Sequence, residues 1–198
     1  MRTKTQTQSE KMLEAAGRLF GTQRFHEVRM EDIAAEAAVG KGTLYRYFTD
    51  KEELYLALLE RASQQVLERI QIELIGAEGA RDKLVAMATA LIGFFDEQPH
   101  VFDLIQRAEI LQREGREFPW QTARDEIGRQ LRELFKEARQ RGEFVVGDPD
   151  HAVLMFLGGL RAVVRFGRRP RPRTLAQQVV RSFLDGAGWV KPAPSACR

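Results

Sequence analysis

The chain has 198 residues, of which 43% are hydrophobic, enough for one or two small domains with a buried core. Its 31 Lys+Arg against 28 Asp+Glu leave a net charge of +3, which neither demands nor excludes a polyanionic partner. The single cysteine, Cys197, excludes an intrachain disulfide and a cysteine-rich zinc site. The polar stretch 1–10 lacks the apolar core of a secretory signal. The longest apolar run, 152–160, is far short of the ~20 residues that span a bilayer. A soluble, cytoplasmic protein with no membrane partner is expected.

Helical periodicity dominates from the start, and strand-like alternation with Asn-Gly or Asp-Gly turns is absent. Thr7 and Glu10 have capping-box spacing, and Met12, Leu13, Ala16, Leu19 and Phe20 then share one helical face. A second short helix is predicted over 30–38, a break at Val39-Gly40, and a third short helix over 41–48. Asp50 and Glu53 form another capping pair, opening a long fourth helix that runs into the Ile70s and stops at Gly76 to Gly79. Further helices are expected at 80–97, 100–113, 119–141, 148–167 and 173–186, bounded by Pro99, Pro119, Gly142, Pro149, Pro170 and Pro172. The predicted fold is all-α: an N-terminal three-helix module containing a helix-turn-helix, then a C-terminal six-helix module. The predicted division is 1–50, 51–190 and a flexible tail at 191–198.

In the first module Ile33, Ala34, Ala37, Leu44 and Phe48 would pack inward against Leu19 and Phe20. That leaves Lys41, Gly42, Thr43, Tyr45, Arg46 and Tyr47 on the outer face of the third helix. Cationic, hydroxyl and aromatic donors on one short helix suit phosphate and base-edge contact in a major groove, and Gly42 would permit close approach to a phosphate. Lys51, at the start of the fourth helix, is expected to grip the DNA backbone beside it.

The stretch from Met30 through Lys41-Gly-Thr-Leu-Tyr-Arg-Tyr-Phe48 to Lys51-Glu-Glu-Leu54 resembles the DNA-binding signature of the tetracycline-repressor (TetR) family, and Ala15-Ala16 and Leu19-Phe20 match its first helix. The resemblance covers about a quarter of the chain. The chain departs from the family pattern at Arg24, Val28, Arg29, Ala38 and Gly40. Arg29 has no acceptor to cap the second helix, a loss of roughly 1 kcal/mol, which Glu31 and Asp32 offset in part through the helix dipole.

The resemblance implies a small-molecule pocket among the middle helices. Met87, Phe94, Phe95, Phe102 and Trp120 are its expected apolar lining, with His100, Arg107, Glu109 and Arg113 as polar candidates. Most large apolar residues there are core by default. Arg107 or Arg113 would orient one anionic end, favouring a fatty-acid-like or aromatic carboxylate. If these arginines instead line a solvent face, the effector is a neutral or cationic hydrophobe. The run at 152–160 is apolar nearly all round, more than one side of a helix can bury. Phe156, Gly158 and Gly159, with Val179, Phe183 and Leu184 of the last helix, are therefore expected at a two-fold four-helix interface, which is also what the resemblance implies. Arg161 and Arg165 have three open assignments: pairs across that interface, solvent, or an anionic ligand. The basic loop 168–173 reads as a solvated connection.

No catalytic constellation competes. His26, His100 and His151 show no HExxH spacing, and there is no Gly-x-Ser-x-Gly elbow, P-loop or dinucleotide fingerprint. The expectation is a homodimeric repressor, without metal or cofactor, that binds a palindromic operator in double-stranded DNA and is released by a small hydrophobic effector. The alternatives are an enzyme and a helical adaptor.

Overall fold

A computed structural model describes residues 4–112, 119–144 and 147–186, and the regular elements among them are all α-helices. In chain order these are α1 (Lys4–Thr22), α2 (Met30–Glu36), α3 (Lys41–Tyr47), α4 (Lys51–Leu74), α5 (Gly79–Glu97), α6 (Pro99–Gln112), α7 (Pro119–Gln140), α8 (Pro149–Phe166) and α9 (Leu175–Asp185). None is long and apolar enough to cross a membrane.

Local chemistry accounts for most boundaries. Helix α1 already runs at Lys4, so Thr7 lies inside it and is not its cap; no Gly or Pro precedes Thr7 to stop the helix. The backbone N–H of Arg29 donates to the Asp32 carboxylate at 3.0 Å, so α2 is closed by its third residue in place of a side-chain cap. Its end turns at Ala38, with φ +53°, a left-handed conformation that crowds a Cβ. At α4, Asp50 accepts from the Glu53 N–H at 2.8 Å, while the Glu53 carboxylate reaches back one residue further, to the Thr49 N–H at 2.6 Å. Asp148 caps α8 by accepting from the Asp150 N–H at 3.0 Å, with Pro149 at the first helical position. The same helix stops at Gly167, where a Cβ would overlap the Val163 carbonyl, and Arg171 donates to the Val163 and Val164 oxygens at 3.1 and 2.8 Å.

The chain divides into two compact units that interleave along the sequence: Met1–Gln71 with Gly93–Ile127, and Ile72–Ile92 with Gly128–Arg198. In the first, α1 packs on α2 and α6, and α2 packs on α3. Met12, Ala16, Ile33, Leu44, Leu54 and Leu59 are buried in its core. Arg61 of α4 donates to the Glu10 carbonyl and pairs with Glu14, both at 3.2 Å. The Tyr55 hydroxyl is buried and donates to the Leu104 carbonyl of α6 at 2.7 Å. In the second unit α8 packs on α9. Phe135, Phe156 and Phe183 pack ring on ring there, with centroids 5.2 to 6.5 Å apart.

Candidate functional site

Helix α3 has seven residues and only Leu44 is buried within it, with Phe48 buried just after it. Those two anchor the helix, and their spacing of four turns the intervening positions outward. Lys41, Gly42, Tyr45 and Arg46 are exposed; Thr43 and Tyr47 are half-buried. A Cβ added at Gly42 would meet nothing within 4 Å, so this side of the helix is open. Lys41 pairs with Glu31 of α2 at 2.5 Å. The hydrogen bond between them holds the Glu31 carboxyl below its ordinary range and raises the Lys41 ammonium above its own. The Lys41 ammonium also lies 5.7 Å from the Tyr45 ring centre, and the Arg46 guanidinium 5.8 Å from that of Tyr47. The Tyr47 hydroxyl donates to the Gln8 side chain of α1 at 3.3 Å.

Lys51 does not join that face. Its ammonium donates to the carbonyls of Phe25 and Val28 at 2.7 and 2.9 Å and lies 4.5 Å from the Phe25 ring centre. Two of its three donors are thus spent on the α1–α2 loop, whose carbonyls have no helix to satisfy them. Burial, with a smaller repulsion from Arg107, lowers its pKa. Lys51 thus braces the loop, a contact that the charge of an isolated lysine in the sequence could not reveal.

The described residues among those expected at the effector site lie on α5, α6 and α7. Phe94, Phe95, Phe102 and Trp120 form one buried aromatic cluster, with centroids 5.2 Å apart for Phe94–Phe95, 5.5 Å for Phe95–Phe102 and 5.8 Å for Phe95–Trp120. Met87 is buried in the second unit. Arg107 is exposed on α6, its guanidinium 4.1 Å from the Phe25 ring centre on the α1–α2 loop. Arg113 and the tail at 191–198 lie outside the described residues, as does the side chain of Glu109. His100 is half-buried against α1, where a Cβ on Gly17 would come within 3.0 Å of its ring nitrogen.

The apolar surplus of α8 resolves into two stripes. Ala152, Phe156, Leu160 and Val164, four residues apart, are buried in the protomer. Phe156 is 1% exposed and meets the half-buried Phe183 ring of the same protomer at 5.2 Å. Val179 and Leu184 are half-buried. The second stripe comprises Leu154 and Met155, each 70% exposed, with Gly158, Gly159, Ala162 and Phe166, the last 82% exposed. No neighbour lies within 4 Å of a Cβ built on either glycine. Leu154, Met155 and Phe166 were missed because periodicity alone cannot assign which of two apolar stripes faces inward.

A helix-turn-helix with an outward polar recognition face, followed by an all-helical region, is the plan of a one-component bacterial regulator. Residues 12–58 match "Bacterial regulatory proteins, tetR family", and residues 77–187 match the tetracyclin repressor-like C-terminal domain. The chain belongs to the tetR family. Among its relatives, the transcriptional activator FasR of Mycolicibacterium smegmatis is 32% identical over 94 residues, covering 48% of this chain and 43% of FasR. The fatty acid metabolism regulator of Bacillus subtilis is 29% identical over 73 residues, 37% of this chain and 38% of the relative. The chain thus spans less than half the length of either. The fold is that of the fatty acid degradation regulator FadR of Bacillus halodurans, with a TM-score of 0.78, 20% identity and coverage of 95% and 98% of the two chains. It is also that of Bacillus subtilis FadR in complex with stearoyl-CoA, with a TM-score of 0.75, 20% identity and coverage of 89% and 98%.

Proposed function

We propose that the chain is a homodimeric transcriptional repressor that grips a palindromic operator with two copies of α3 and releases it on binding a long-chain acyl carboxylate or thioester. The observation that carries this reading is the outer face of α3, open from Lys41 to Arg46 over the buried Leu44 and Phe48. It lies within the segment that matches the tetR family. Lys41, Tyr45 and Arg46 supply the donors for phosphate and base edges, with Gly42, Thr43 and Tyr47 beside them. The division of labour is 1–50 for DNA and 51–190 for effector and partner.

The aromatic cluster of Phe94, Phe95, Phe102 and Trp120 is the apolar wall assigned to the acyl chain, whose burial there would contribute ~25 cal/mol per Å². Two regulators of similar sequence or fold are named for fatty acid metabolism or degradation, and another neighbour holds stearoyl-CoA. The exposed stripe of α8 supplies the two-fold surface, its glycines allowing two helices to approach closely. The role is that of a binding protein without chemistry of its own.

The test selects DNA from a random pool with the purified protein, then measures transcription from a promoter carrying the selected site, with and without stearoyl-CoA or stearate. Repression relieved by either compound supports the reading. Transcription that rises on adding the protein makes it an activator, and failure to select any sequence removes the DNA-binding reading altogether.

A further inference from the structure

The α1–α2 loop, residues 23–29, carries a single aromatic side chain, Phe25, which is met from several elements of the first unit. Phe20 of α1 stacks on it with centroids 5.2 Å apart, and Tyr55 of α4 meets it edge-on at 5.2 Å. The Lys51 ammonium of α4 and the Arg107 guanidinium of α6 both lie over its ring, at 4.5 and 4.1 Å. An aromatic face attracts a cation through its quadrupole, so one ring here takes two charges from two helices. Lys51 is further fixed by the carbonyls of Phe25 and Val28. The loop runs directly into Arg29, the first boundary residue of the helix-turn-helix.

The same stretch of α6 is held at two other points. Leu104, one turn before Arg107, accepts the Tyr55 hydroxyl at 2.7 Å. His100, two turns before it, fits against α1 at Gly17 and Gly21, whose missing side chains make room for the imidazole. A displacement of α6 therefore shifts Phe25, and with it the carbonyls that Lys51 holds.

We infer that Arg107 is a positioning residue: through Phe25 it locks α6 to the α1–α2 loop, and this joint sets the register of the helix-turn-helix on α6. The inference rests on the DNA-binding reading above but on no particular effector. Coupling between sites is reciprocal, so DNA bound at α3 must be felt at α6 if the joint transmits at all. Arg107 is exposed, so its replacement leaves the fold standing.

The test uses the full chain and a DNA fragment selected by the unaltered protein, and follows amide hydrogen exchange in residues 99–108 with and without saturating DNA. In the unaltered protein, DNA slows exchange there at least threefold. Arg107→Ala and Phe25→Leu lose that slowing while still binding the fragment; Arg107→Lys keeps part of it, because an ammonium also sits on a ring. Arg124→Ala, an exposed arginine on α7, keeps all of it. Undiminished slowing in Arg107→Ala, or none in the unaltered protein bound to DNA, overturns the joint. A chain that binds no DNA overturns the functional reading itself and the joint with it.

Discussion

Arg69 crosses from α4 to Glu97 at the end of α5 in a two-pronged pair, with distances of 2.6 and 2.9 Å, over a glycine. A Cβ on Gly93 would fall 2.6 Å from the guanidinium, so an alanine there makes the end of the Arg69 side chain shift and disturbs the pair. Gly93→Ala is therefore expected to leave the stability of the unaltered chain nearly unchanged, because losing an ion pair worth ~0.2–1 kcal/mol offsets a helix-propensity gain of about 1 kcal/mol. In an Arg69→Ala background no pair is lost, and Gly93→Ala should stabilise by up to ~1 kcal/mol. Urea unfolding of the four proteins checks this, and equal effects in both backgrounds would refute the steric argument. His100 obeys a different rule. Burial lowers its pKa below the ordinary value of 6.5. Above that pH the imidazole is neutral in both the folded and unfolded chain and adds no pH dependence. Below it the unfolded chain takes the proton first, so stability falls until the pH passes the lowered value. Melting temperature should drop more steeply between pH 6.5 and 5 in the unaltered protein than in His100→Gln. Parallel profiles would mean His100 titrates normally.

At the level of elements, α8 shows how one helix serves two surfaces. The buried stripe through Phe156 completes a protomer core with Phe135 and Phe183, while Leu154, Met155 and Phe166 stand in the open. Leu154→Glu with Met155→Glu should convert a dimer to a folded monomer, read by analytical ultracentrifugation, with little change in helicity. Phe183→Ala should act differently, costing about 2 kcal/mol of protomer stability, less than the loss of a fully buried aromatic because the ring is half-buried. A double glutamate variant that still sediments as a dimer would move the subunit surface off α8.

For the whole molecule, charge placement decides what DNA binding should look like. Lys41 stands on the open face of α3, whereas Lys51 is committed to two carbonyls and a ring. Lys41→Ala should flatten the slope of log K against log[salt] by about 0.9, the share of one phosphate contact. Lys51→Ala should leave that slope nearly unchanged and lower the melting temperature instead. Fluorescence anisotropy across a salt series distinguishes the two, and a flatter slope for Lys51→Ala would return it to the phosphate backbone.

The helices, the helix-turn-helix and the outer face of α3 were legible in the order of residues. Those rest on local rules: a period of 3.6, a capping residue, glycine or proline at many boundaries, and Leu44 and Phe48 four residues apart. Boundaries slipped only by a residue or two, except at α1, where nothing in the polar start marks the first turn. The partners of long polar side chains were decided by tertiary structure alone. Arg107 lies 82 positions from Phe25 in the chain and Lys51 lies 26, and no periodicity brings them to one ring. The choice between the two stripes of α8 was equally non-local, since both are apolar and helical spacing fits each. Only the arrival of Phe135 and Phe183 from other helices buries one stripe and leaves the other exposed.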